Sequence, residues 1–330
     1  MRILLVKLSS LGDVVHTLPV VQDILLAMPG AQIDWVVEKA FAALLTQVQG
    51  INRIIPCELR RWRKSWWAAK THNDWRAFKA DLQQQSYDAV IDLQGLTKSA
   101  LVARLAKLAP TGRRYAMANQ TDGSGYEAAT RWAADVAIAL EPHVHAVARG
   151  RLLAAKALAY STDAAKKSPI YGLKVPIAQL NRALAAPKKI AFIHGTSRQD
   201  KTWALQNWVA LGKRLAANGY QVALVHGSAQ ELATSQAISE QLSGSRVLPL
   251  LSLDALTAEL GQCTGAIGVD SGVSHIAVAL GLPHVQIYNF DTAWRTGPLG
   301  SAHQVSVFAQ PEPNVDAVWQ AWLACECTLA

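Results

Sequence analysis

Short apolar segments alternate with longer amphipathic segments along the first half of the chain. The apolar segments predict strands at 2–7, 32–37, 52–56, 87–93 and 113–117, and the amphipathic segments predict helices at 14–28, 97–107 and 142–160. Strands buried on both faces of a parallel sheet are nearly continuous apolar runs. The repeated strand–helix units therefore favour a parallel sheet with helices on both faces.

The same alternation restarts near residue 189, after a Pro- and Gly-containing break. The predicted strands are 189–194, 221–226, 246–248, 265–269 and 284–288, and the predicted helices are 205–217, 230–242, 253–260, 273–280 and 314–324. The sequence therefore predicts two Rossmann-like α/β domains, residues 1–167 and 188–330, with a linker region at 168–187. We expect the domains to face each other across a cleft that collects the carboxyl ends of their parallel strands.

Positive charge is concentrated in the first of these domains. The 330-residue chain carries a net charge of +8, and residues 1–167 hold 22 basic against 14 acidic side chains, whereas the remainder is balanced. This asymmetry indicates an anionic partner, which is nucleic acid, a phosphorylated ligand or a membrane surface. No apolar run approaches the ~20 residues of a membrane span, and no signal peptide is recognisable, so we predict a cytoplasmic protein.

Several common site motifs are missing from the chain. No Gly-x-Gly-x-x-Gly follows a predicted strand, and neither a Walker A motif nor a Gly-x-Ser-x-Gly elbow occurs. These absences disfavour dinucleotide-binding enzymes, P-loop ATPases and serine hydrolases. The chain also lacks Asp-x-Asp, the usual carboxylate pair for a metal-bound sugar nucleotide, so we predict no metal and no cofactor.

The segment Ser-Ser-Leu-Gly-Asp at 9–13 follows the first predicted strand. Asp13 lies at the carboxyl end of that strand, where a helix begins. One interpretation is helix capping, which Asp and Ser favour. The other is a carboxylate base that faces the cleft and is ionised at neutral pH.

A basic, tryptophan-rich segment occupies residues 60–79, with seven basic side chains, four tryptophans and the single acid Asp74. Arginine binds phosphate or carboxylate groups in a bidentate fashion, and tryptophan packs in cores, on bases or at bilayer interfaces. The segment therefore indicates an anion site, for which nucleic acid and an anionic lipid headgroup are both open. A solvated basic loop is the structural alternative.

Two loops of the second domain have the composition of phosphate-binding turns. The loop at 194–203 combines a glycine, small hydroxyl residues and Lys201, although an ordinary strand–helix loop would look similar. Asp-Ser-Gly at 270–272 opens a predicted helix, whose free N–H groups suit a diphosphate. His275 lies in the first turns of that helix and is either structural or directed to the same site.

Taken in order, these segments resemble the heptosyltransferases, glycosyltransferase family 9 of the GT-B fold. The resemblance is carried by segments 7–19, 60–64 (Arg-Arg-Trp-Arg-Lys), 87–95, 145–147, 200–203 and 270–275. It implies inverting transfer of heptose from ADP-heptose to Kdo of a Kdo2-lipid A acceptor, at the cytoplasmic face of the inner membrane. The expected partners are these two substrates and the anionic leaflet, without nucleic acid.

The resemblance also implies a role for each matching residue. Asp13 would be the general base, and Arg60, Arg61, Arg63 and Lys64 would hold the acceptor's phosphates and carboxylates. Donor binding would fall to Thr196, Ser197, Lys201, Glu231, Asp270, Ser271, Gly272 and His275. Segment 289–292 (Asn-Phe-Asp-Thr) departs from the Gly-Pro-Thr-Asp expected of the family.

Two alternatives stay open at this point. Another nucleotide-sugar enzyme of the same fold would share the second-domain loops without needing the basic tryptophan segment. A non-catalytic binder of anionic polymer would use residues 60–79 but would leave the loops of the neutral second domain unexplained.

Overall fold

The structure, a computed structural model, describes residues 1–174 and 188–327. The chain forms two compact units, Met1–Gly172 and Leu173–Ala330. Most of the region predicted as a linker, 175–187, lies outside the described residues, so the boundaries 1–167 and 188–330 stay predictions.

The first unit contains a six-stranded parallel sheet of order β3-β2-β1-β4-β5-β6. Its strands are β1 (Arg2–Val6), β2 (Gln32–Glu38), β3 (Ile51–Cys57), β4 (Ser86–Asp92), β5 (Lys107–Met117) and β6 (Val136–Ile138). Its helices are α1 (Leu11–Ala27), α2 (Lys39–Leu45), α3 (Leu59–Lys64), α4 (Ala69–Leu82), α5 (Thr97–Leu105), α6 (Thr130–Ala133) and α7 (Ala146–Leu158).

The second unit repeats this architecture within residues 188–327. Its six-stranded parallel sheet has the order β12-β11-β10-β7-β8-β9. Its strands are β7 (Lys189–Ile193), β8 (Gln221–Leu224), β9 (Arg246–Val247), β10 (Gly265–Val269), β11 (His284–Tyr288) and β12 (Gln304–Phe308). Its helices are α8 (Leu205–Ala217), α9 (Ala229–Ser239), α10 (Leu253–Leu260), α11 (Gly272–Ala279), α12 (Ala293–Thr296) and α13 (Val315–Cys327).

Each unit has a core of its own between sheet and helices. In the first unit, side chains of β1 and β4, Tyr87 among them, form a cluster with Trp62 and Phe78. In the second, Trp208 and Trp322 are fully buried against the central strands. The two parallel α/β sheets confirm the predicted fold class.

The predicted elements are present, but several of their ends are corrected, and the helices α2, α3, α4, α6 and α12 were not predicted. Helix α1 begins at Leu11 rather than at residue 14, because Ser10 serves as its N-cap. Strand β5 begins at Lys107, which the sequence placed in a helix, and it contains a shift in register against β4. Helix α7 begins at Ala146 rather than 142, with His145 as its N-cap.

Two edge strands, β6 and β12, were absent from the prediction. Strand β6 has only three residues, and β12 alternates exposed and half-buried positions instead of forming an apolar run. Edge strands are bonded on one side only and need less hydrophobicity, which explains why the pattern missed them.

Both sheets place loops at the point where their strand order reverses. In the first unit β1 lies between β2 and β4, and in the second β10 lies between β11 and β7. Loops that follow strands at such a switch point are where open α/β sheets bind ligands. Asp13 follows β1, and Asp270 follows β10.

Candidate functional site

Asp13 lies in the first turn of α1. Its Oδ2 accepts hydrogen bonds from the backbone N–H of Ser10 at 3.2 Å and from the Ser10 hydroxyl at 3.0 Å. These are helix-capping contacts, so the capping interpretation describes part of the residue's role. The side chain is nevertheless 38% exposed, which leaves the carboxylate accessible from solvent.

Two cations flank the Asp13 carboxylate. Oδ1 lies 3.6 Å from Nζ of Lys7 and 3.8 Å from a terminal nitrogen of Arg149, both of which are almost fully buried. Burial raises the pKa of Asp13, but Lys7, Arg149 and the Ser10 hydrogen bonds outweigh it and hold that pKa below its usual value. Asp13 is therefore a carboxylate at neutral pH.

The neighbouring loop after β4 holds the backbone that leads to Asp13. Oε1 of Gln94 accepts from the N–H of Leu8 at 2.7 Å and of Ser9 at 3.2 Å. Asp92, fully buried, in turn accepts from the N–H of Gln94 at 2.9 Å. Burial raises the pKa of Asp92 to about 6. The buried Asp92 thus orders the loop after β4, whereas the Asp13 carboxylate is partly exposed to solvent.

The basic tryptophan segment folds into α3 and most of α4. Trp62 is buried and packs edge-on against Trp75 at 5.6 Å between ring centres, so part of the segment is core. Trp66 and Trp67, in contrast, are 48% and 86% exposed. The segment is thus anchored by one tryptophan and presents others to solvent.

The four predicted acceptor-binding cations differ in their surroundings. Arg61 forms ion pairs with Glu58 at 3.0 Å and with Asp74. The side chains of the other three are exposed: Arg60, Arg63 and Lys64. Arg61 therefore also joins α3 to α4, a structural use of its charge that the sequence did not indicate.

In the second unit, Asp270 is the centre of a polar network. Its Oδ2 pairs with the Lys201 ammonium. Its Oδ1 lies 3.4 Å from Nε2 of His275 and accepts from Gln286 at 3.4 Å and from Thr296 at 3.3 Å. Burial raises the pKa of Asp270, but His275 and Lys201 outweigh it and hold that pKa far below its usual range.

Helix α11 begins beside this network. Ser271 is its N-cap, and the Ser271 hydroxyl accepts from the N–H of Ser274 at 3.4 Å. The first N–H groups of a helix have no partner within it and favour an anion. The Thr196 hydroxyl donates to the backbone oxygen of Asp270 at 3.4 Å, which brings the loop after β7 against the start of α11.

Glu231 lies on α9, at the carboxyl end of the neighbouring strand β8. Its Oε2 accepts from the N–H of Gly227 at 2.6 Å. The carboxylate also packs closely against Gly195, and a Cβ atom at position 195 would overlap it. The structure therefore brings Glu231 next to the loop of Thr196, while Ser197 is exposed on the same loop.

The segment at 289–292, which departs from the family pattern, contacts the same loop. Nδ2 of Asn289 donates to the backbone oxygens of Asp200 at 3.3 Å and of Thr202 at 2.7 Å. Asn289, Lys201 and Asp270 line one small cavity together with Phe290 and other residues of β11 and the loop after it.

Sequence reasoning thus selected residues that the structure brings together, and it missed others. Thr196, Lys201, Asp270, Ser271 and His275 form one contiguous group in the second unit, although their individual roles stay predictions. The predicted site did not include Arg149, Gln286, Thr296 or Asn289, or Lys7 as a neighbour of Asp13. Two of them gave a signal: Lys7 lies two residues before the Ser-Ser-Leu-Gly-Asp segment, and Asn289 belongs to the segment that departs from the family pattern.

Among residues 1–174 and 188–327, no group of three or more His, Cys, Asp or Glu side chains could hold a metal ion. The predicted absence of metal and cofactor stays a prediction.

Comparison with known proteins places the chain in a defined group. A model of glycosyltransferase family 9 (heptosyltransferase) matches residues 75–319. Lipopolysaccharide heptosyltransferase 1 of Escherichia coli K12 is 37% identical over 296 residues, 87% of this chain and 88% of that protein. The protein of the same name from Pseudomonas aeruginosa is 36% identical over 306 residues, 91% of this chain and 82% of that protein.

Solved structures agree with this grouping. The structure of the E. coli heptosyltransferase WaaC with ADP superposes with a TM-score of 0.85 at 33% identity, covering 97% of this chain and 98% of that chain. The structure of E. coli ADP-heptose lps heptosyltransferase II, 22% identical with a TM-score of 0.79 over 100% and 99%, supports the fold alone. The matches confirm both the GT-B fold class and the resemblance found in the sequence.

Proposed function

The chain belongs to glycosyltransferase family 9, the heptosyltransferases, and from this premise we propose that it transfers heptose from ADP-heptose in the assembly of the lipopolysaccharide core. The relatives named as lipopolysaccharide heptosyltransferase 1 support the reaction class. Two structures of the E. coli WaaC protein, one with ADP and one with ADP-2-deoxy-2-fluoro heptose, support the donor.

In this proposal the second unit binds the donor. Lys201 and the N–H groups at the start of α11, beside Ser271 and Gly272, hold the diphosphate. A diphosphate leaving group gains negative charge as the sugar bond breaks, and a half-buried lysine with a helix N-terminus stabilises that charge. Thr196 and Ser197 add hydroxyl donors, Glu231 binds the ribose or adenosine, and Asp270 contacts the heptose while His275 supports it.

Asp13 is the general base. It takes the proton from an acceptor hydroxyl, whose oxygen then attacks the anomeric carbon of heptose as the bond to the diphosphate breaks. The products are the glycosylated acceptor, protonated Asp13 and ADP, and the configuration at the anomeric carbon is inverted. A carboxylate is suited to this role only if it is ionised and reachable, and Asp13 satisfies both conditions.

The acceptor is Kdo of a Kdo2-lipid A molecule, whose phosphates and carboxylates are held by Arg60, Arg61, Arg63 and Lys64. Three of these side chains are exposed and able to meet an anion directly. Because Arg61 is paired with Glu58 and Asp74, its contribution requires exchange of one carboxylate for another.

The same face of the first unit touches the anionic leaflet at the cytoplasmic side of the inner membrane. Among the described helices none has the length and hydrophobicity that a membrane crossing needs. Exposed Trp66 and Trp67 beside Arg63 and Lys64 combine interfacial aromatic groups with positive charge, which suits peripheral contact.

Sedimentation with vesicles tests this contact. We expect binding to vesicles that contain anionic lipid, weakened by Trp67→Ala and by 0.5 M salt. The matched control is Trp132→Ala, an exposed tryptophan outside the segment 60–79. Equal sedimentation with neutral and anionic vesicles would remove the membrane contact from the proposal while leaving the transfer reaction unaffected.

The observation that carries the proposed reaction is the accessible Asp13 carboxylate, kept ionised by Lys7 and Arg149. The first experiment is calorimetric titration of the protein with ADP and with UDP. We expect selective ADP binding that becomes too weak for calorimetry in Lys201→Ala, followed by heptose transfer in an assay with ADP-heptose and Kdo2-lipid A.

Each outcome of this titration discriminates between functions. Preference for UDP would indicate another nucleotide-sugar enzyme of the same fold. Absence of binding to either nucleotide would contradict the donor assignment in the second unit.

A further inference from the structure

Asn289 occupies a position between two loops that are far apart in the sequence. It directly follows β11, the strand adjacent to β10, and its side chain reaches the loop after β7. Nδ2 donates to the backbone oxygens of Asp200 and Thr202, at 3.3 and 2.7 Å. These two residues flank Lys201 on either side, so one amide group holds the backbone around the lysine.

The orientation of the Asn289 amide follows from its partners. Both are carbonyl oxygens, which only accept, so the NH2 group must face them and both of its hydrogens can be used. Oδ1 is buried and has no hydrogen-bond partner among the described residues. A buried acceptor without a hydrogen bond is unfavourable. Any stabilisation by the Asn289 side chain therefore comes from the two hydrogen bonds that its NH2 group donates.

Lys201 needs such support because its ammonium must change partners. It is paired with Asp270, and in the proposed reaction it also meets the diphosphate. The lysine side chain is long and flexible, and ordering it costs entropy. A backbone fixed on both sides keeps the ammonium within reach of either anion.

We propose that Asn289 is a positioning residue for Lys201, which fixes the turn that presents the ammonium to the donor diphosphate. The inference rests on the proposed ADP-heptose donor and assigns a purpose to the segment that departs from the family pattern. Asn289 acts through Lys201 and makes no contact with the nucleotide itself.

A double-mutant cycle tests this coupling. ADP affinity is measured by titration for wild-type protein, Asn289→Ala, Lys201→Ala and the double variant, with ligand-observed NMR for millimolar affinities. We expect Asn289→Ala to weaken ADP binding about tenfold in the wild-type background, the size of two lost hydrogen bonds. In the Lys201→Ala background the same change should cost less than about twofold.

Two further variants separate positioning from folding. Asn289→Asp keeps the shape of the side chain but cannot donate, and we expect it to weaken ADP binding at least as much as Asn289→Ala. Asp291→Glu, an exposed neighbour in the same loop, should leave ADP affinity unchanged. The thermal unfolding midpoint of each variant is measured alongside.

The proposal is overturned if Asn289→Ala weakens ADP binding equally in both backgrounds, or if Asn289→Asp binds ADP as tightly as wild-type protein. If the wild-type protein binds no ADP, the donor assignment itself fails. Unchanged affinity in Asn289→Asp beside tight wild-type binding would reject only the role of Asn289.

Discussion

The two units place an aspartate at comparable positions, yet the surroundings of the two carboxylates differ. Asp13 follows β1 and Asp270 follows β10, each at the switch point of a parallel sheet. The side chain of Asp13 is 38% exposed, whereas that of Asp270 is 6% exposed. Both have a lowered pKa, because cations outweigh the effect of burial in each case.

The two carboxylates differ in how far their surroundings enclose them. Oδ2 of Asp13 accepts from Ser10, while Oδ1 lies 3.6 Å from Nζ of Lys7 and 3.8 Å from a terminal nitrogen of Arg149. Oδ1 of Asp270 is contacted by Gln286, Thr296 and His275, and its Oδ2 by Lys201. A lowered pKa therefore marks both a candidate base and a structural anchor, and accessibility separates them.

Replacement of the accessible aspartate should have the largest effect. Asp13→Asn keeps an oxygen that accepts from Ser10 but cannot take a proton, so we expect the transfer rate to fall about 10²- to 10⁴-fold. Because the substitution leaves the buried cations Lys7 and Arg149 without this counter-charge, the unfolding free energy should also fall, by about 1–3 kcal/mol. Steady-state kinetics and chemical denaturation measure the two quantities.

The control for this variant is its affinity for ADP, which should match that of wild-type protein because Asp13 belongs to the first unit. Wild-type turnover in Asp13→Asn would show that another group takes the proton. The greater exposure of Asp13 would then not identify it as the base.

Replacement of the buried aspartate should act first on stability. Asp270→Asn leaves the Lys201 ammonium without its counter-charge, and we expect a loss of about 3 kcal/mol in unfolding free energy at neutral pH. The pKa of Asp270 is depressed, so this contribution is complete above the unfolded-state pKa of ~3.9 and is lost as the pH falls below it.

Urea unfolding of both proteins at pH 7 and at about pH 2.5 measures this difference, which should narrow at the lower pH. Equal stability of Asp270→Asn and wild-type protein at pH 7 would contradict the anchoring role.

The charge that tunes Asp13 can be altered without touching the carboxylate. Arg149→Gln removes one of the two cations, so the pKa of Asp13 rises and the acid limb of kcat/KM moves to higher pH, by about one unit or less. A pH–rate profile measures the shift, and the exposed Arg104→Gln is the matched control. An unchanged acid limb would show that Arg149 does not lower the pKa of the catalytic base.

We expect the smallest effect on ADP affinity from a substitution in the loop after β7, where Gly195 packs against the Glu231 carboxylate. Gly195→Ala places a methyl group against the Glu231 carboxyl and displaces it from the Gly227 N–H. Since Glu231 is the end of a flexible side chain, we expect ADP affinity to fall about two- to fivefold, the size of one lost hydrogen bond, with an unchanged unfolding midpoint. Unaltered ADP affinity would count against Glu231 as a nucleoside ligand.

The central strands and the loops after them were predictable from the sequence. β1, β4, β7, β10 and β11 are buried on both faces and appear as apolar runs, which is why their positions agree closely with the prediction. The edge strands β6 and β12 and short helices such as α2 and α6 carry no such pattern. Their formation depends on neighbours that the sequence does not identify.

The site was predictable only where chemistry is concentrated in one segment. Asp13 and the group at 270–275 lie in motifs, but Arg149 and Asn289 act through contacts between distant segments. Arg149 approaches Asp13 because α7 packs on α1, and nothing in the sequence around Arg149 indicates that Asp13 is its partner. Pairings of this kind require the tertiary structure.

The packing of α7 on α1 also bears on the order in which the protein acquires activity. The buried bidentate pair of Arg151 with Asp23 joins these helices across 128 residues of sequence. Arg149, from the same helix, completes the electrostatic setting of Asp13. A chain that has formed β1 and α1 alone thus has the carboxylate but lacks one of the two cations that flank it. Refolding experiments should accordingly recover the wild-type pH dependence of catalysis no earlier than the contact between α1 and α7.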